Sequence, residues 1–182
     1  MIKKIQTPLS GDVVSSLQVG DSVYLSGVVY TGRDAAHKRM VEMLDRGEAL
    51  PFDIKDATIY YVGPCPAKPG QVIGSAGPTT SGRMDPFSPR LMEEGLRGMI
   101  GKGLRKREVV DSMIKNNCVY FAAIGGAGAL LAEAIKEAEV VAFPELASEA
   151  VYRLVVEDFP ITVVIDSQGN DLYAAGKAMY QK

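Results

Sequence analysis

The chain has 182 residues, 47% of them hydrophobic and 23% charged, which excludes a disordered, collagen-like or fibrous protein and suits one globular domain spanning 1–182. Twenty basic against 22 acidic side chains leave a net charge of −2, too balanced for a general nucleic-acid or membrane-surface partner, so any anion chemistry has to be local. No apolar run approaches the roughly 20 residues of a membrane span, and the lysine-bearing N-terminus lacks the apolar stretch of a secretory signal, so the expected compartment is the cytoplasm.

In chain order, residues 21–32 are rich in β-branched and aromatic side chains between turn formers, and predict a strand ending at a glycine turn. Residues 33–47 follow with Ala36, Met40 and Leu44 at helical spacing, and Gly47 in a position to end the helix. Short strands are expected at 57–62 and 71–76, separated by a segment in which Pro64, Pro66 and Pro69 exclude regular structure. An aperiodic loop covers 77–86. A helix is expected over 89–98 with Ser88 as N-cap and Pro89 at N1, then a loop from Met99 entering a second helix that ends near Asn116 or Asn117. Residues 118–124 form an apolar strand candidate, 125–128 a glycine turn and 129–138 a helix. Strands at 140–143, 151–156 and 161–166 complete an α/β domain with a barrel-like or partly antiparallel element beside it.

Three glycine-flanked segments carry cations: Thr31-Gly-Arg33-Asp-Ala-Ala-His37, Gly77-Pro-Thr79-Thr80-Ser-Gly-Arg83 and Gly101-Lys102-Gly103-Leu-Arg105. Each sets a guanidinium or ammonium beside backbone that a ligand can approach closely. A small dicarboxylate needs a planar fork or a point charge for each carboxylate and donors for any hydroxyl. Each segment alone also reads as an ordinary surface turn with a solvated cation. His37 shares a helix face with Arg33, which suits packing or orientation of that arginine. Asp34 and Arg39 read as helix-dipole and surface charges. Thr79, Thr80 and Ser81 supply hydroxyls, but a threonine is a poor base near neutral pH and needs a partner group that another chain could bring. The turn containing Gly126 invites a nucleotide-binding, non-catalytic reading. Set on the dinucleotide fingerprint, however, the motif puts Leu131 where the third glycine belongs. Cys65 and Cys118 are 53 positions apart with one histidine in the chain, too few ligands for a self-contained iron–sulfur cluster or another metal centre.

The runs Ser26-Gly-Val-Val-Tyr-Thr-Gly-Arg-Asp-Ala-Ala-His-Lys-Arg39, Gly77-Pro-Thr-Thr-Ser-Gly-Arg-Met-Asp85 and Met99-Ile-Gly-Lys-Gly103 resemble the C-terminal domain of class I fumarases and the beta subunits of fumarase and L-tartrate dehydratase. The likeness continues through Ala122-Ala-Ile-Gly-Gly-Ala127 and Phe143-Pro-Glu145. It implies a swivelling β/β/α domain with a mixed sheet and flanking helices. The implied activity is that of a hydro-lyase beta subunit, reversibly hydrating fumarate to L-malate, with L-tartrate dehydratase as the alternative. It also implies a hetero-oligomer in which an alpha subunit holds a [4Fe–4S] cluster through three cysteines and uses its open iron as a Lewis acid. By motif match, Arg33, Arg83 and Lys102 look like the substrate-carboxylate cations and Thr79 like the hydroxyl in proton transfer, with His37, Thr80 and Gly126 as supporting residues.

Overall fold

The computed structural model describes residues 2–123 and 128–180, the side chains of 177–180 excepted. Its strands are β1 (Ile2–Gln6), β2 (Ser22–Thr31), β3 (Thr58–Tyr60), β4 (Gly98–Gly101), β5 (Val119–Ala122), β6 (Ile135–Ala142) and β7 (Val151–Ile165). The helices are α1 (Gly11–Ser16), α2 (Asp34–Asp45), α3 (Ser88–Glu93), α4 (Arg107–Asn116), α5 (Gly128–Glu133) and α6 (Leu172–Tyr180). Strands β1 to β5 run parallel in sequential order, and β7 pairs antiparallel with β5, β6 and β2. Because β7 reaches both β5 and β2, the circuit β2–β3–β4–β5–β7 closes on itself, leaving β1 and β6 as appended strands. This is a mixed α/β architecture with helices flanking a mixed sheet. Closure removes the free edges that the short central strands would otherwise expose.

Alternation along those strands sorts the core into two bodies. Tyr60, Val62, Ile100, Val119, Phe121 and Val163 pack inside the circuit with Leu25, Val29 and Leu154. Their neighbours Ile59, Tyr61, Met99, Tyr120 and Val164 point outward and are covered by Met40 of α2, Leu91 of α3, and Val109 and Met113 of α4. With both faces buried, β3, β4 and β5 read as short, largely apolar runs rather than as alternating ones.

The strand expected over 21–32 and the helix over 33–47 form as β2 and α2, with Gly47 just past the helix end at φ +73°. Residues 118–124 contain β5, and α4 ends where expected, at Asn116, with left-handed Asn117 as its cap. Other expectations are corrected. Residues 71–76 form no strand: Gly74 packs on the carbonyls of Cys65 and Pro66, and the prolines opposite lack the amide hydrogens a ladder needs. The helix expected over 89–98 begins at Ser88, with Phe87 as its N-cap residue, and stops at Glu93. Gly98–Gly101, placed partly in that helix and partly in a loop, is strand β4. The helix expected over 129–138 ends at Glu133, and Ile135–Ala142 is β6, held by pairing to β7. The two strands expected at 151–156 and 161–166 are one 15-residue strand that passes through Pro160.

Candidate functional site

The carboxyl ends of β2, β3 and β4 lie side by side, since the Gly32 amide donates to the Tyr60 carbonyl (3.0 Å) and the Tyr61 amide to the Ile100 carbonyl (2.8 Å). Loops leaving this edge are where parallel α/β sheets bind ligands. All three cation-bearing segments leave from it or dock against it.

After β2, Arg33 occupies the N-cap position of α2. Its carbonyl accepts the backbone amide of His37 (3.0 Å) and lies 2.8 Å from His37 Nδ1. The proton therefore belongs on Nδ1. The buried Nε2 has no hydrogen-bond partner among the described residues. Burial pulls the His37 pKa down to about 4, against the pull of the Arg33 carbonyl, so the ring is neutral at physiological pH. The ring meets Tyr61 edge-on at 5.4 Å between centroids. His37 thus packs beneath the loop and ties down the Arg33 carbonyl. The Arg33 side chain runs over Gly63, where a Cβ would stand 2.7 Å from Nη1 and 2.9 Å from Cδ. Its Nε is 3.9 Å from Glu149 Oε1, buried and without a hydrogen bond among the described residues.

The loop from Gly77 is pinned to the ends of β3 and β4. The Thr79 amide donates to the Tyr61 carbonyl (2.7 Å) and the Ser81 amide to the Lys102 carbonyl (2.8 Å), while Thr80 and Lys102 form an isolated parallel bridge. Thr79 is half-buried; Thr80 and Lys102 are exposed. Ser81–Met84 then makes a 3-10 turn that presents Arg83. Close approach of the two loops depends on Gly101, because a Cβ there would lie 2.1 Å from Ser81 Oγ. The turn is further held by Tyr120, whose hydroxyl is 2.7 Å from Ser81 Oγ and 2.9 Å from the Gly103 carbonyl.

Beneath lies a buried ion pair that joins the two loops. Arg105 Nε donates to Asp85 Oδ1 (2.7 Å), Arg105 Nη2 donates to Ser88 Oγ (2.9 Å), and Asp85 Oδ2 accepts the Lys106 amide (2.9 Å). Arg105, which ends the third glycine-flanked segment, is thus buried rather than at the edge.

Arg83 is half-exposed and directs both Nε (3.0 Å) and Nη2 (2.8 Å) at Asp34 Oδ2, on the first turn of α2. The structure thus brings Arg33 and Arg83 together through Asp34, and Thr79, Thr80 and Lys102 together through the bridge. Such an open, cation-bearing edge can take carboxylates, with hydroxyls alongside. Among the described residues, two cavities of about 560 and 410 Å³ are lined by residues other than Arg33, Thr79, Thr80, Arg83 and Lys102. Gly126 lies outside the described residues.

Sequence reasoning missed Glu149 and gave Asp34 only a helix-dipole role. The adjacency of Asp34 to Arg33 was the available signal; nothing in spacing points to Glu149, which arrives from the turn before β7. The thiol of Cys118 sits in the core against the Leu96 carbonyl (3.1 Å), burial pushing its pKa up to about 12, whereas Cys65 is exposed. Among the described residues no group of three His, Cys, Asp or Glu could hold a metal ion, so the residues present do not fit an iron–sulfur cluster. No described helix is long and apolar enough to cross a membrane.

The profile described as Fumarase C-terminus matches residues 3–176. The class I aerobic fumarate hydratase of Salmonella typhimurium is 43% identical over 162 residues, 88% of this chain and 28% of the relative. Its Escherichia coli namesake is 42% identical over 162 residues, again 88% of this chain and 30% of the relative. A Methanocaldococcus jannaschii protein with the provisional name L(+)-tartrate dehydratase subunit beta is 42% identical over 176 residues, 93% of this chain and 90% of the relative. The chain therefore spans less than a third of the fumarate hydratases it matches and nearly all of the subunit-sized relative. On a match that runs almost from end to end, the chain belongs to the Fumarase C-terminus family.

Proposed function

We propose that this chain is the beta subunit of an iron–sulfur hydro-lyase that hydrates fumarate to L-malate reversibly, contributing carboxylate-binding cations to a site shared with an alpha subunit. The observation that carries the reading is the convergence of Arg33, Arg83 and Lys102 on the loops at one edge of the parallel strands, in a family whose named relatives are fumarate hydratases and a tartrate dehydratase subunit. In this reading residues 1–182 act as one domain in the cytoplasm, and the alpha subunit supplies the [4Fe–4S] cluster that the cysteines here do not fit. That one relative is named a subunit supports a division between two chains.

This chain's own groups then have distinct tasks. Arg83 offers the planar fork that grips one carboxylate in two parallel hydrogen bonds, and Arg33 and Lys102 neutralise the other. Fixing both ends of a rigid diacid orients the carbons between them, and a well-oriented addition gains several kcal/mol over the free encounter. The Thr79 hydroxyl, on a backbone held by the hydrogen bond from the Thr79 amide to the Tyr61 carbonyl, moves a proton in concert with groups of the alpha subunit, since an unassisted threonine is too weak a base.

The test is reconstitution. Fumarate consumption is measured for the purified chain, for the cluster-loaded larger chain, and for their mixture; turnover is expected only in the mixture. Thr79→Val in the mixture should lower kcat by about a hundredfold or more while KM changes less. Turnover by this chain alone, or an unchanged kcat in the threonine variant, would overturn the corresponding part of the proposal. L-tartrate dehydration is the second reading, favoured by the subunit-sized relative. Comparing kcat/KM for L-tartrate and L-malate in the same mixture decides between them.

A further inference from the structure

Resting on that dicarboxylate site, we infer that Asp34 is a positioning residue for Arg83, setting which edge of the guanidinium meets substrate and, with it, the length of diacid the site prefers. A guanidinium has a side-on edge formed by Nε and one terminal nitrogen, and an end-on edge formed by the two terminal nitrogens. Asp34 Oδ2 takes the side-on edge, 3.0 Å from Nε and 2.8 Å from Nη2. Oδ2 thus accepts from Nε and stands close to Nη2, leaving the end-on pair to grip a carboxylate in two parallel hydrogen bonds. The Arg83 side chain is 51% exposed, so that edge is reachable.

The location of Asp34 gives the pairing its consequence. As the first residue of α2 it follows Arg33 directly, and α2 is held by Met40 in the outer core. Arg83 comes from a 3-10 turn 49 positions later in the chain, on an otherwise aperiodic loop. Without a tether its long side chain would sample many positions relative to Arg33. The ion pair fixes the two cations in one register, and the distance between them determines how far apart two bound carboxylates can be. The negative charge of Asp34 also repels a substrate carboxylate from the inner edge of the guanidinium. Substrate is thereby confined to the outer edge.

A purely structural role for Asp34 would lower stability without altering selectivity, and this separates the two explanations. In the co-purified enzyme, Asp34→Ala should raise KM for the four-carbon diacid about tenfold to a hundredfold, with kcat falling less, as expected for loss of a charge-assisted pair that orients a binding group. Inhibition constants for malonate, succinate and glutarate should converge, the preference for succinate shrinking severalfold. Asp34→Asn, which keeps one acceptor oxygen and the helix start, should fall between. On this chain alone, the Arg83 Nε–H resonance should exchange slowly in the native protein and rapidly in Asp34→Asn. In an Arg83→Ala background, Asp34→Ala should have almost no further effect on KM. Equal effects in both backgrounds, or unchanged ratios among the three diacids, would overturn this assignment while leaving the proposed function standing. If Arg83→Ala itself leaves KM unchanged, both fall.

Discussion

Two arginines, each paired with an aspartate, stand within one small region of the molecule. Arg105 and Asp85 meet at 2.7 Å with side chains 0% and 2% exposed, and Arg83 and Asp34 meet at 2.8 Å with side chains 51% and 37% exposed. The first guanidinium is enclosed: Ser88 and Asp85 take its hydrogens, and the faces of Tyr61 and Tyr120 lie 5.2 and 4.9 Å away. The second meets a single carboxylate oxygen and is otherwise exposed. A buried charge pair demands complete satisfaction and makes its region rigid, whereas an exposed pair contributes little stability and leaves donors free. The inner pair holds the two loops together, and the outer pair is poised to take a ligand.

That contrast can be broken most severely from inside. Arg105→Met leaves the Asp85 carboxylate buried with no cation and should cost about 3 to 5 kcal/mol in urea unfolding. A loss below about 1 kcal/mol would mean that the loops are held by something else. His37 gives the next largest effect. Because burial lowers its folded-state pKa from 6.5 to about 4, the unfolded chain binds the extra proton first as pH falls. Stability is then complete above about 6.5 and declines toward about 4, by a total on the order of 3 kcal/mol. Unfolding curves collected across that window should show the decline, and a His37→Phe variant should lack its contribution.

Outside, the effects should be on function rather than on stability. Arg83→Lys retains charge but not the fork, and kcat/KM in the reconstituted enzyme should drop about tenfold to a thousandfold, about 1.4 to 4 kcal/mol, with unfolding shifted by less than about 1 kcal/mol. Near-native kinetics would remove Arg83 from the site. Thr80→Val should do least of all, within about threefold in either constant, since the exposed hydroxyl lies beside a backbone bridge that the substitution leaves intact.

What was legible in the sequence followed local rules. Strand β2 has β-branched and aromatic residues between turn formers, and α2 has apolar residues at helical spacing with a glycine beyond its end. Strand β4 escaped because it is four residues with glycine at each end, too short to show a period. The first half of β6 escaped for a different reason, although a strand was expected from Val140: Ile135-Lys-Glu-Ala-Glu139 is composed largely of good helix formers, and antiparallel pairing to β7, Ile135 opposite Val156 and Ala138 opposite Leu154, overrides that propensity. The two strands expected at 151–156 and 161–166 are joined through Pro160 because pairing with β2 continues across it, Tyr24 opposite Pro160.

By itself the sequence determined the α/β class, the absence of enough ligands for a cluster, and the three glycine-flanked segments that bear Arg33, Thr79, Arg83 and Lys102. All of these are properties of composition or of residues close together along the chain. Only the tertiary structure decided which charges meet. Arg105 turns inward to Asp85, Arg83 to Asp34 and Arg33 toward Glu149 because closure of β2, β3, β4, β5 and β7 carries separate loops to one edge, and such contacts depend on where strands pair rather than on the spacing of residues in sequence.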